Sequence, residues 1–257
     1  VDNMRGVATG GNDAYLFANQ TNAEASADIY DFNATGFSVK NGGGSVNGNG
    51  DTHIYMAIRR GDMAVPTDAT KVFSIVQNTN TLINNTKVDF GITPDMHIAN
   101  RTTTGMSHFI TNRLTGGKYM FTNANSAEST ALSSFNKEQT TVEYTGTAAN
   151  DTGTYNHLGW KRAPGYFDVV AYTGTASART VAHNLGVAPE MMWVKGRDVV
   201  EDWNVYHSAT GNQAYLKLNE NNQAVTSNTN RWNSTTPTAS VFTLGTTDGV
   251  NKNNKNY

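Results

Sequence analysis

Gly91-Ile92-Thr93-Pro94-Asp95-Met96 and Gly186-Val187-Ala188-Pro189-Glu190-Met191 match position for position in chemical type, 95 residues apart. In this hexapeptide Gly permits a positive φ and Pro holds φ at about −65°, so the pair sets a turn whose exit feeds a strand. Met96 and Met191 begin that strand, and Ile98 and Trp193 are expected to alternate toward a buried face. A ligand-binding loop is the alternative reading, and no second feature accompanies it.

The spacing persists downstream. Phe109-Ile110 falls on Val205-Tyr206 and Tyr119-Met120 on Tyr215-Leu216, both 96 residues apart. A Tyr-x-x-x-Asn element recurs at Tyr15, Tyr119 and Tyr215, ending in Asn19, Asn123 and Asn219. An aromatic-Asn pair follows each, as Phe32-Asn33, Phe135-Asn136 and Trp232-Asn233. Next come a strand holding Phe37, Val142 or Val241, an Asn-rich turn at Asn47, Asn150 or Asn251, and a closing strand ending in Arg59-Arg60 or Lys161-Arg162. The third copy of that strand is expected after Asn256-Tyr257.

A period of about 100 residues is too long for a solenoid rung and suits a tandem array of whole sandwiches. The expected fold is all-β, with tandem jelly-roll-like β-sandwich modules. Residues 1–60 read as a partial module (its C-terminal half), 61–160 as a β-sandwich module, and 161–257 as a β-sandwich module lacking its last strand. Half a sandwich exposes an apolar sheet face that needs a cover. Upstream sequence, the C-terminal module or another chain could supply it, and a free strand edge invites the last.

Local patterning agrees with β structure. No window of 257 residues keeps apolar residues at helical spacing over eleven or more positions. Short β-branched or aromatic runs bounded by Gly, Asn, Asp or Ser predict strands at 14–18, 36–40, 53–60, 72–77, 95–100, 108–112, 118–122, 141–145, 167–172, 190–196, 203–207, 214–219 and 240–245. The stretch 19–27 reads as loop.

Composition narrows the function classes. The chain is 37% hydrophobic and only 16% charged, with 32 Asn, 35 Thr, 24 Gly and a net charge of −2. Such a surface lacks the basic footprint that neutralises nucleic-acid phosphates, and it does not favour charge-driven membrane binding. The longest apolar run spans about five residues near Ile54, against about 20 for a spanning helix. Zero Cys removes disulfides, thiolate nucleophiles and Cys-ligated zinc together. No secretory signal is visible at the N-terminus.

Catalysis finds little footing. The six His residues show no metal-ligand spacing, and no nucleophile elbow, P-loop or dinucleotide fingerprint occurs. No catalytic residue, cofactor or metal is therefore expected, and the chain is read as a non-enzyme. Asn47-Gly48-Asn49-Gly50-Asp51 has alternating oxygen ligands but no bidentate Glu at the last loop position, so a tight turn is the simpler reading. Asp168, Glu190, Asp198, Glu201 and Asp202 are interspersed with Lys161, Lys195 and Arg197, which describes a mixed-charge rim. Paired carboxylates for glycoside hydrolysis meet in space and stay open. Recurring Asn residues build Asx-turns by default. Glycan binding is the alternative, with Trp203 beside Asn204 and Trp232 beside Asn233 as its candidate residues.

The run from Phe167 to Gly174, then Val181-Ala182-His183-Asn184-Leu185-Gly186 through Lys195, then Trp203-Asn204-Val205-Tyr206-His207 and Tyr215-Leu216-Lys217-Leu218-Asn219, resembles a repeated β-rich module of tailed-bacteriophage virion proteins of the tail or fibre type. The resemblance covers nearly all of 161–257. The stretch 61–160 departs from it, with Val88-Asp89-Phe90 in place of His-Asn-Leu and Ser107 where Trp203 stands. What it implies is a virion structural protein of a tail fibre, tail tip or capsid-attached fibre, assembled in the host cytoplasm and exposed extracellularly. Implied partners are other copies of itself, other virion proteins and a host-surface glycan, with neither nucleic acid nor membrane insertion involved. A lectin-like receptor-recognition module is the second reading, and a carbohydrate depolymerase the third.

Overall fold

The computed structural model describes residues 12–17, 20–32, 36–40, 44–57, 64–78, 86–102, 107–130, 133–135, 139–144 and 153–257. With 34% strand and 4% helix, the chain is all-β. The repeat positions Asn19, Asn33, Asn136, Asn150, Arg59 and Arg60 lie outside the described residues.

Two hairpins open the chain, β1 (Asp13–Tyr15) with β2 (Ala25–Ala27) and β3 (Tyr30–Phe32) with β4 (Phe37–Val39). The short helix α1 (Gly44–Asn47) follows. The middle stretch carries β5 (Phe73–Asn78), β6 (Lys87–Asp89), β7 (Met96–Arg101), β8 (Phe109–Asn112), β9 (Met120–Phe121), β10 (Ser133–Phe135), β11 (Thr141–Tyr144) and β12 (Tyr155–Trp160). These form a five-stranded sheet in the order β5-β12-β7-β8-β9 and a three-stranded sheet in the order β10-β11-β6. The C-terminal stretch carries β13 (Arg179–Ala182), β14 (Met191–Val194), β15 (Asn204–His207), β16 (Leu216–Lys217), β17 (Val241–Leu244) and the short helix α2 (Asp248–Asn251). Here the sheets are β14-β15-β16 and β13-β17.

Pairing recurs where the sequence does. Tyr15 pairs with Ala25, Tyr119 with Ser129 and Tyr215 with Val225, all antiparallel. The β7-β8-β9 meander corresponds to β14-β15-β16, and the β11–β6 pair to β17–β13. Gly91 and Gly186 have φ of 64° and 72°, as the hexapeptide turn requires, and Pro94 and Pro189 are buried behind them. Asn233 also sits in the left-handed region, with φ 51°, in keeping with a turn-building role.

Two apolar clusters sit between these sheets. One gathers Val88, Phe90, Ala99, Phe109, Phe135, Val142, Tyr144 and Tyr155. The other gathers Tyr172, Val181, Val194, Tyr206, Tyr215, Trp232, Phe242, Leu244, Val250 and Tyr257.

Four expectations change, the first being the stretch 19–27, expected as loop, in which Ala25–Ala27 form β2. Trp193 does not face the core, being 38% exposed while its neighbour Val194 is buried; Ile98 is half-buried against Ile110, Met120 and Trp203, and the fully buried residues of β7 are His97 and Ala99 on its other face. Apolar residues occupy both faces of these strands, so alternation alone could not choose between them. Residues 167–172 are extended but form no ladder beyond single bridges at Phe167 and Thr173. Residues 51–57 are in no strand, although β12 occupies the equivalent place in the middle stretch.

Candidate functional site

The junction between the middle and C-terminal stretches is the most elaborated polar assembly outside the sheets. It begins with the turn after β9, where the Glu128 amide donates to the Arg197 carbonyl at 2.6 Å. The Glu128 carboxylate then accepts Arg197 Nε at 2.9 Å and Lys118 Nζ at 2.8 Å. Glu128 and Arg197 side chains are both at least nine-tenths buried, so this pair works in a partly desolvated setting.

Lys195, at the end of the segment leaving β14, is buried and donates to the carbonyls of Gly196 at 2.7 Å, Asn125 at 3.4 Å and Val199 at 3.4 Å. Burial pushes its ammonium down to about 8, against the opposing pull of Glu201, Asp202 and Glu128. The Glu201 amide also donates to the Asn125 carbonyl. Asn125 therefore anchors two chain segments of the C-terminal stretch.

Trp203 supplies the apolar half of the junction. Its indole packs with Ile110 and Met120, flanked by Met96, Ile98 and Leu218, and its Nε1 donates to the Phe121 carbonyl at 2.8 Å. Nearby, Asn123, Leu218, Asn219, Glu220, Asn221 and Asn222 line a shallow, open depression of about 590 Å³.

The candidate glycan residues land elsewhere than their chemistry needs. Trp203 is 4% and Trp232 0% exposed, and each indole N–H is bound to a backbone carbonyl, Phe121 and Ala214 respectively. Neither ring offers a free face for stacking on a sugar. Asn204 is buried, donating to the carbonyls of Asp202 and Gly249, and Asn233 alone of the four is exposed. The structure thus separates the two Trp-Asn pairs and assigns both indoles to packing, which corrects the expectation that they form a binding surface.

The acidic residues are dispersed. Asp168 accepts from Arg162 Nε and from the amides of Val169 and Asn184. Asp198 accepts from the Asn256 amide, and Glu190 is exposed. Asp202 and Glu220 do meet, through Lys217 Nζ at 2.7 and 3.1 Å. Burial would raise the Asp202 carboxyl, but hydrogen bonds from Lys217 and Asn219 outweigh it and hold it below its ordinary value. A carboxyl held ionised does not serve as the general acid of glycoside cleavage. In 47–51 the Asp51 amide closes a turn onto the Gly48 carbonyl, and Gly50 has φ 81°. Among the described residues no three His, Asp or Glu side chains gather to hold a metal, and no helix is long and apolar enough to cross a membrane.

Sequence reasoning missed a second polar cluster. His97 Nε2 lies 3.1 Å from His157 Nδ1, which Tyr144 Oη approaches at 3.3 Å, inside the middle core. The two His stand 60 residues apart on β7 and β12, so only their register across the ladder, His157 beside Ala99 and Gly159 beside His97, reveals the encounter.

A family model described as Domain of unknown function (DUF7483) matches residues 145–257. No curated protein and no solved structure matches the chain.

Proposed function

We propose that the chain is a bacteriophage virion structural protein, part of a tail fibre, tail tip or capsid-attached fibre, built from tandem jelly-roll-like β-sandwich modules at 1–60, 61–160 and 161–257. The junction carries this reading. Two repeats are locked together by a buried Glu128–Arg197 pair, a buried Lys195 and an interlocking Trp203, which is the construction of a stiff rod and not of a flexible string of binding domains. The recurring pairings of Tyr15, Tyr119 and Tyr215 and the resemblance of 161–257 to virion modules support it further. Exposed Leu16, Phe17, Ile54, Tyr55 and Met56 on the N-terminal segment form apolar surface of the kind that assembly partners cover.

The test is the molecular weight of the purified chain by light scattering, followed by antibody labelling of intact particles. A multimer in solution and label on the tail or capsid fibres agree with the reading. A concentration-independent monomer and unlabelled particles would defeat it.

A glycan-recognition role is the second reading, favoured by the shallow, open amide-rich surface of Asn123, Asn219, Asn221 and Asn222 at the junction. Titration with host-surface oligosaccharides, followed by amide chemical shifts of those four residues, tests it directly. Unmoved resonances would remove it.

A further inference from the structure

Of the 32 Asn residues, three are followed by Gly, as Asn41-Gly42, Asn47-Gly48 and Asn49-Gly50. Asn41 and Gly42 lie outside the described residues. The Asn of such a pair can react with its own main chain, because a following residue without Cβ leaves its amide nitrogen open to the side-chain carbonyl carbon. Whether it does so depends on what holds the two groups, and here the sites differ.

Asn49 and Gly50 form the corner of the turn in which the Asp51 amide donates to the Gly48 carbonyl at 3.1 Å. Both are exposed, Gly50 has φ 81°, and nothing lies within 4 Å of where a Cβ on Gly50 would stand. The central amide of a β-turn, here the Gly50 N–H, takes no part in the closing bond. Among the described residues neither this amide nor the Asn49 carboxamide has a hydrogen-bond partner. Residues 51–57 are exposed and in no strand, so no ladder resists rotation of the main chain at the turn.

Other Asn residues are held. Asn47 is exposed but ends α1, and in a helix the Cα–Cβ bond tilts toward the N-terminus, away from the following amide. Asn251 occupies the corresponding Asn-rich turn of the C-terminal stretch and is fully buried. Its Oδ1 accepts from the Thr175 amide and its Nδ2 donates to the carbonyls of Ser177 and Gly245. Asn204 is buried as well, bonded to the carbonyls of Asp202 and Gly249 and followed by the β-branched Val205.

We propose that Asn49 is a site of spontaneous deamidation, through which the turn after α1 acquires a carboxylate and an isoaspartyl linkage. The Gly50 nitrogen loses its proton to water and bonds to Asn49 Cγ. The Cγ–Nδ2 bond breaks, and Nδ2 takes up a proton and leaves as ammonia. Water then opens the five-membered imide: cleavage at Cγ gives Asp, and cleavage at the main-chain carbonyl carbon gives isoaspartate. One water is consumed and one ammonia released, with no change of oxidation state. Isoaspartate lengthens the main chain by one carbon inside the turn and sets a charge two residues from Asp51, and both effects oppose closure from Gly48 to Asp51. This modification is independent of the assembly role proposed above.

The purified full chain is incubated at 37 °C at pH 6 and at pH 8, and peptides covering 41–59 are sequenced by electron-transfer fragmentation, which separates isoaspartate from aspartate. A gain of one mass unit is expected at position 49 ahead of 47, faster at pH 8 because the attacking amide must lose its proton, and none at 204 or 251. Asn49→Gln, whose imide needs a six-membered ring, and Gly50→Ala, which puts a Cβ beside the attacking nitrogen, are each expected to slow the gain at 49 severalfold. Conversion at 47 before 49 would overturn the assignment to this turn. A position 49 that stays unconverted while a synthetic peptide of residues 44–53 converts would overturn it too, since the fold would then protect the Asn. Equal conversion at 49, 204 and 251 would overturn the account of burial and bonding.

Discussion

His97 and His157 stack at a ring separation of 5.3 Å with no water-facing edge, and each has one ring nitrogen, His97 Nδ1 and His157 Nε2, without a hydrogen-bond partner. Phe90, Phe109, Tyr144 and Tyr155 surround the pair, and no carboxylate among these neighbours compensates an imidazolium. Burial therefore drives His157 down to about 4, and burial together with its neighbour drives His97 well below the ordinary His value.

The sign of the resulting pH dependence is fixed. Between the unfolded value of 6.5 and about 4 the unfolded chain binds more protons, so stability is complete above pH 6.5 and is lost as pH falls through that window. His157 alone contributes about 3 kcal/mol of this loss, at about 1.4 kcal/mol per pKa unit. Urea melts followed by near-ultraviolet circular dichroism from pH 7 to pH 4 are expected to show it, and His97→Phe is expected to make the profile shallower while leaving the His157 contribution in place. A midpoint independent of pH over that range would disprove the account.

The junction predicts an asymmetry between two Trp203 substitutions. Trp203→Ala empties the cluster with Ile110 and Met120 and is expected to cost about 3–5 kcal/mol. Trp203→Phe keeps most of the packing but strands the Phe121 carbonyl, for about 1–3 kcal/mol. Hydrogen exchange at the Thr122 and Ser129 amides, both bonded within the middle stretch, is expected to rise more in the first variant than in the second. Equal exchange would mean that Trp203 does not tie the two stretches together.

Strands such as β5, β7, β8, β11, β15 and β17 were legible in the sequence because they are short, bounded by turn formers and repeated, whereas β2, β3, β6, β10 and β13 were not expected, being runs of only three or four residues. The register of Tyr15, Tyr119 and Tyr215 follows from that repeat. What the sequence could not show is which face of a strand is inward when both carry apolar groups, as at Trp193 and Val194. It also could not show that a Trp beside an Asn is buried. Trp203 and Trp232 read as binding residues by type, and only the carbonyls of Phe121 and Ala214, distant in sequence, explain why they point inward. The His97–His157 encounter was hidden for the same reason, since each His alone is an ordinary strand residue.

Glycines separate conformational from steric demand. Gly186 has φ 72° with open space where a Cβ would stand, so Gly186→Ala costs only the left-handed strain of about 1–2 kcal/mol. Gly245 is outside the left-handed φ range, but a Cβ there would fall on the Asn230 backbone carbonyl. Gly245→Ala must shift main chain beside the buried Leu244 and is expected to leave little folded protein. Thermal melts of the two variants are expected to differ by well over ten degrees, and similar melting points would contradict the packing of 230 against 245.

The buried ion pair at the junction gives the sharpest test of what fastens the two stretches. Glu128→Gln removes the carboxylate that accepts from the Arg197 guanidinium, 5% exposed, and is expected to cost about 3–5 kcal/mol. Arg197→Met alone leaves Glu128 with Lys118, which lies 2.8 Å away and is itself 42% exposed, so its cost is expected to be smaller. In the double variant both charges are gone while the Glu128 amide bond to the Arg197 carbonyl is kept. A double-mutant cycle is therefore expected to return a coupling of about 1–3 kcal/mol, with the double variant more stable than Glu128→Gln. Additive single effects would show that the pair is a surface decoration, and the stiffness argued for the junction would then have to rest on Trp203 alone.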